Sequence, residues 1–122
     1  MKRSVYFRIM PSTEQTQMTV LESLQQMMQR FNPALAKGVN AVIQLNASGE
    51  GGGQYVLSIR EGEASLAEGT AEKPTVTINV AANDWVDIVT GKLDPTRAFM
   101  SGRLRIAGDL ALMMRFQRMF LG

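Results

Sequence analysis

Four carboxylates, Glu61, Glu63, Glu68 and Glu72, come nearest to a chemical constellation in this 122-residue sequence. Clustered acids can share general acid and base work or hold a hard cation. These four, however, run along a Glu61-Gly62 hairpin signal, where charges on a solvated edge serve to resist strand pairing. There is no histidine and no cysteine, which removes the commonest general base, the commonest transition-metal ligand and every thiolate nucleophile. The glycines at 51–53 lack a following Gly-Lys-Ser/Thr and make a turn rather than a phosphate cradle. Arg103, Arg105, Arg115 and Arg118 could meet phosphates, but no aromatics interleave with them as an RNA platform requires, so nucleic acid is not an expected partner. With no assembled nucleophile and base, the reading is non-enzymatic, with no cofactor and no metal.

What the chain has in surplus is grease at its end. Stepping 100° per residue from Asp109 spreads Leu110, Leu112, Met113, Met114, Phe116, Met119, Phe120 and Leu121 around most of a helix. Only Ala111, Arg115 and Arg118 share a weakly apolar wedge. A helix docked on one side of a small domain needs an apolar stripe of roughly 100°, so the excess must face a bound lipid, a bilayer or a partner protein. The net charge is only +2, yet residues 48–90 are dominated by acids and residues 91–122 by Lys92, Arg97, Arg103, Arg105, Arg115 and Arg118. A basic end that is also the apolar end suits transient contact with anionic lipid headgroups.

The elements that must position this helix follow from periodicity. Residues 1–18 read as an N-terminal extension, either a loose tail or an extra strand in which Val5, Phe7 and Ile9 alternate; residues 19–122 form the domain proper. Thr19 to Phe31 is an amphipathic helix with Val20, Leu21, Leu24, Met27, Met28 and Phe31 on one face, stopped at Asn32-Pro33. Strands follow at 39–45, 54–60, 63–68 and 75–80. A short helix capped by Asn83 or Asp84 carries Trp85, Val86, Ile88 and Val89 to Gly91. Asp94-Pro95 opens another to about Ser101, Arg103–Ile106 is a fifth strand, and the greasy helix closes the chain. The order is α+β, with a single five-stranded mixed sheet and helices gathered on one face. Because helices join the last two strands, these are expected to be parallel neighbours linked by a right-handed crossover. Any core layer left unfilled beneath the helices becomes a pocket.

The residues Asp84-Trp85, and the run G-K-x-x-P-x-x-A-F-x-x-G-x-L-x-I-x-G-D from Gly91 to Asp109, resemble the sterol carrier protein 2 family of small lipid-binding domains. The resemblance covers Thr19 to Leu121. It implies a hydrophobic tunnel between the sheet and its helices, lined or gated by the terminal helix. The chain ends Phe120-Leu121-Gly122, which is not the C-terminal address of peroxisomal relatives, so a cytoplasmic, stand-alone form is expected.

On this reading the ligand is a sterol, fatty acyl or isoprenoid molecule, sequestered without chemistry. Its tail would meet Leu24, Met28 and Phe31 from the first helix, and Trp85, Ile88, Phe99 and Met100 from the connecting helices. Leu104 and Ile106 on the fifth strand and Leu112, Met113 and Phe116 on the last helix complete the lining. Arg97, Arg115 and Arg118 are candidates for an anionic headgroup. Nine methionines suit a cavity that accepts differently shaped apolar guests. The alternative is an interaction module whose apolar last helix docks on a partner of lipid or quinone metabolism, or on a second copy as a homodimer.

Overall fold

In the computed structural model, which describes residues 18–120, the first helix begins where Thr19 and Glu22 cap each other. Glu22 N donates to Thr19 Oγ1 at 3.1 Å and Thr19 N to Glu22 Oε1 at 2.8 Å. Helix α1 (Val20–Gln29) ends at Arg30, two residues short of the expected stop. Asn32 takes a new role, its Oδ1 accepting Ala34 N at 3.1 Å to open the 3₁₀ turn Pro33–Ala36. Residues 1–17 of the expected N-terminal extension, including the alternative strand through Val5, Phe7 and Ile9, fall outside the described residues, as do Leu121 and Gly122.

Five strands, β1 (Ala41–Ser48), β2 (Gly53–Arg60), β3 (Glu63–Glu68), β4 (Val76–Ala81) and β5 (Leu104–Gly108), form one mixed sheet in the order β3-β2-β1-β4-β5. Alternation sends Ile43, Leu45, Leu57, Ile59, Val76, Ile78, Val80 and Leu104 to one face, where all are buried against the helices. β1 runs past Leu45 because Asn46 and Ala47 are paired on both sides, to β2 and to β4, and Asn46 Nδ2 donates to Asn79 Oδ1 at 3.1 Å.

The expected parallel pairing of the last two strands is wrong. β4 and β5 are antiparallel, with Val80 opposite Leu104, and the parallel pair is β1 with β4. Helices α2 (Ala82–Val89) and α3 (Pro95–Met100) therefore make an excursion that returns to the end of β4 it left. The segment that crosses the sheet is 69–75, laid over the helix-free face and held by Gln44. The side chain of Gln44 donates to Gly69 O at 3.1 Å and accepts from Ala71 N at 2.7 Å, which leaves a buried amide satisfied.

Helix α2 has Ala81 as its N-cap with no side-chain cap bond; Asn83 and Asp84 lie inside the helix, because β4 passes into it without a loop. Helix α3 starts as expected, Asp94 Oδ2 accepting Arg97 N at 3.0 Å with Pro95 in the first turn. Helix α4 (Leu110–Phe120) is capped by Asp109, whose Oδ1 accepts Leu112 N at 3.1 Å.

Gly108 explains the glycine before that cap. Its φ is +111°, and a Cβ there would collide with the carbonyl oxygen of Thr75 and sit 3.1 Å from Val76 Cα. Gly108→Ala is expected to lower stability by roughly 2–4 kcal/mol, combining left-handed strain with displacement of the β4 end. Gly102→Ala, at φ +82° with open space around it, should cost only about 1 kcal/mol. Urea denaturation of both variants checks this; equal midpoints would mean that the close approach is not what requires glycine.

Candidate functional site

Helix α4 carries two apolar stripes. Leu112, Phe116, Met119 and Phe120 follow the i, i+4, i+7, i+8 rhythm; the last three are fully buried and Leu112 packs half-buried on the core. Leu110, Met113, Met114 and Gln117 follow i, i+3, i+4, i+7 on a neighbouring face, and they wall a cleft of about 280 Å³. The opposite wall is α3, anchored by the fully buried Ala98, which presents Pro95, Thr96 and Phe99. Leu104 and Ile106 of β5 and Trp85 and Ile88 of α2 complete the lining with Phe116.

The cleft is graded from wet to dry. Its rim is exposed, with Phe99 at 45%, Leu110 at 50% and Met114 at 69% relative accessibility, whereas Trp85, Ile88, Leu104 and Phe116 are buried. Among the described residues no ionisable side chain lines it; the polar side chains are those of Thr96 and Gln117, and Trp85 is the one lining aromatic that carries an N–H. Such a site can hold an apolar body and make a few directed hydrogen bonds, and among the described residues its lining includes no acid, base or metal-binding side chain. Its volume lies just under the about 300–1,000 Å³ usual for ligand pockets.

Of the residues singled out from sequence, Trp85, Ile88, Phe99, Leu104, Ile106, Met113 and Phe116 meet in this cleft. Leu24 is instead in the core between α1 and the sheet, and Met28, Phe31 and Leu112 are half-buried against that core. Phe31 packs its ring on Phe120 at a centroid distance of 5.1 Å. Met100 is on α3 but outside the lining, 80% exposed. Arg97, Arg115 and Arg118 are exposed and do not line the cleft; the Arg115 guanidinium donates to Lys37 O at 3.4 Å. Glu61, Glu63, Glu68 and Glu72 are all exposed, with Glu61 and Glu63 at the β2–β3 turn, and no group of metal-ligating side chains forms among the described residues. Sequence reading missed Pro95, Thr96, Leu110, Met114 and Gln117 as lining. The heptad-like spacing of Leu110, Met113, Met114 and Gln117 was the available signal.

The model of the SCP-2 sterol transfer family matches residues 22–121. The chain belongs to that family. Among curated relatives, hydroxysteroid dehydrogenase-like protein 2 of Bos taurus is 34% identical over 86 residues, covering 70% of this chain and 21% of that protein. The same protein of Danio rerio is 34% identical over 90 residues, 73% of this chain and 22% of that protein. This family member thus spans about a fifth of the curated relatives it matches, and their dehydrogenase-like name describes far longer chains. Among solved structures, palmitated SCP2L2 from Aedes aegypti superposes with a TM-score of 0.71 at 22% identity, covering 86% of this chain and 96% of that one. Sterol carrier protein 2 from Yarrowia lipolytica, in apo form, gives 0.58 at 16% identity, covering 80% and 89%. A double mutant of the sec-alkyl sulfatase PisA1 gives 0.76 at 19% identity, covering 84% of this chain and 16% of that one. These likenesses establish the shared fold, a mixed five-stranded sheet with helices on one face. No helix among the described residues is long and apolar enough to cross a membrane.

Proposed function

We propose that this domain is a non-catalytic lipid carrier that holds the apolar body of its ligand in the cleft between α3, α4 and β5. The observation that carries the reading is the second stripe of α4, which faces an unsealed apolar space instead of the core. Membership of a sterol transfer family and the fold shared with a palmitated relative support it. Enclosing a sixteen-carbon chain would yield a gross ~13 kcal/mol at about 0.8 kcal/mol per methylene. Ordering costs offset part of this, leaving ample room for the about 8 kcal/mol of micromolar binding. A chain of that length exceeds the cleft, so α4 opens outward or the ligand protrudes through the rim. The exposed Phe99, Met100, Leu110 and Met114 then meet the bilayer during loading, with Arg97, Arg115 and Arg118 on the same two helices to attract anionic headgroups.

Native mass spectrometry of the purified protein should show lipid adducts, and a fluorescent fatty probe should bind with micromolar affinity. An adduct-free dimer that takes up no probe would overturn the carrier reading in favour of self-association through the apolar rim.

A further inference from the structure

One residue of the cleft lining holds an unspent hydrogen bond. Trp85 is buried, and its indole Nε1, with essentially no accessible surface of its own, has no hydrogen-bond partner among the described residues. Buried tryptophan N–H groups usually find a partner, because leaving one unmet costs about 1–3 kcal/mol. The group donates and cannot accept, so what completes it is an acceptor atom. Trp85 lines the cleft together with Ile88, Leu104 and Phe116, none of which offers a side-chain acceptor.

Resting on the lipid-carrier reading, we propose that Trp85 Nε1–H is the polar anchor of the site and selects lipids bearing a neutral oxygen acceptor, such as an ester carbonyl or a hydroxyl. Among the described residues no cation lines the cleft, which favours neutral over charged heads. A carboxylate carried to the indole would be desolvated without a counter-charge, which costs far more than one hydrogen bond returns. A saturated hydrocarbon fits the walls but leaves the N–H unmet. The acceptor therefore enters first, reaching Nε1 as the buried lining parts around it, and the remaining apolar chain runs outward past Phe99, Leu110 and Met114. That orientation is opposite to the one in which an ionic headgroup stays at the rim beside arginines.

Two probes of matched length separate the terms: methyl laurate, which carries the ester, and pentadecane, which does not. Each displaces a fluorescent fatty probe from the full chain and from the Trp85→Phe variant. Water's preference for the ester is common to both proteins and cancels. The ratio of ester to hydrocarbon affinity should fall about tenfold in the variant, the equivalent of about 1.4 kcal/mol. The chain has a single tryptophan, so its one indole N–H resonance reports directly in the unsubstituted protein and remains decisive if the variant fails to fold. Methyl laurate should move that resonance downfield while pentadecane does not. An unchanged ratio, or equal displacement of the resonance by both probes, overturns the anchor while leaving the carrier reading intact. Failure of both probes to bind overturns the two together.

Discussion

Phe116→Ala will lower the free energy of unfolding by about 3–5 kcal/mol, the range for removing a buried phenylalanine side chain. Phe116 is 1% exposed and is the residue at which the two stripes of α4 meet, since it belongs to the core and also lines the cleft. Its ring packs on Phe120 at 4.9 Å, and Phe120 packs on Phe31 at 5.1 Å, so three aromatics tie the last helix to the end of the first. Such pairs add roughly 0.5–1.5 kcal/mol beyond their buried area. The cavity left by truncation opens into the existing cleft and cannot be refilled by collapse of the floor, where β5 is fixed by its pairing with β4. Set against the about 5–15 kcal/mol total of an ordinary domain, the loss leaves α4 marginally attached. Urea unfolding measures it, with Met100→Ala as the control. Met100 is 80% exposed, so that change should stay within about 0.5 kcal/mol. A Phe116→Ala loss below about 1 kcal/mol would mean that α4 is not held through this contact.

Much of this architecture was legible because strand faces obey a period of two. Tyr55, Leu57 and Ile59 are buried and Val76, Ile78 and Val80 are buried, and their alternation identifies one covered face before any coordinates exist. Strand direction carries no such signature. Whether β5 runs with or against β4 depends on whether α2 and α3 make a net traverse, and helix content is the same in either case. The parallel pair was hidden behind residues 69–75, a polar segment that looks like a surface loop. Its role in crossing the sheet rests on one buried glutamine, Gln44, in an otherwise ordinary strand. Caps were partly readable: Asp94 and Asp109 precede their helices and bind the expected N–H groups. Asn83 and Asp84 misled because β4 enters α2 with no intervening loop.

The site was legible as an excess, not as a location. Too many apolar residues on α4 announce that part of the helix does not serve the core. Which part it is follows only from the azimuth at which Phe116, Met119 and Phe120 lock onto the sheet, and tertiary contact sets that angle. Leu24, Met28 and Phe31 illustrate the converse. Their stripe on and just after α1 is as apolar as that of α4, yet it is used up by packing against the sheet and Phe120. Periodicity alone cannot distinguish an apolar face that is satisfied from one that is not. The arginines are a separate matter, since their charge is visible in sequence but no spacing rule says whether a guanidinium reaches a cleft one helical turn away.

Met113→Trp should cut affinity for an acyl probe by about 50- to 200-fold and leave the fold intact. Met113 is half-buried and sits on the cleft stripe, so an indole in its place grows into space of about 280 Å³ that already exists instead of forcing a packed core apart. Overpacking strain is thereby avoided, and stability should change by less than about 1.5 kcal/mol. The ligand bears the loss: if the larger ring excludes three or four methylenes, about 0.8 kcal/mol each, binding weakens by roughly 2.4–3.2 kcal/mol, which is the stated fold-change. Met100→Trp adds the same ring to α3 outside the lining and should alter affinity less than about twofold. Fluorescent-probe titrations, paired with thermal melts of each variant, separate lost binding from lost structure. If Met113→Trp melts normally and binds the probe as tightly as the parent, the acyl chain lodges elsewhere, and the second stripe of α4 must be explained by a surface that covers it.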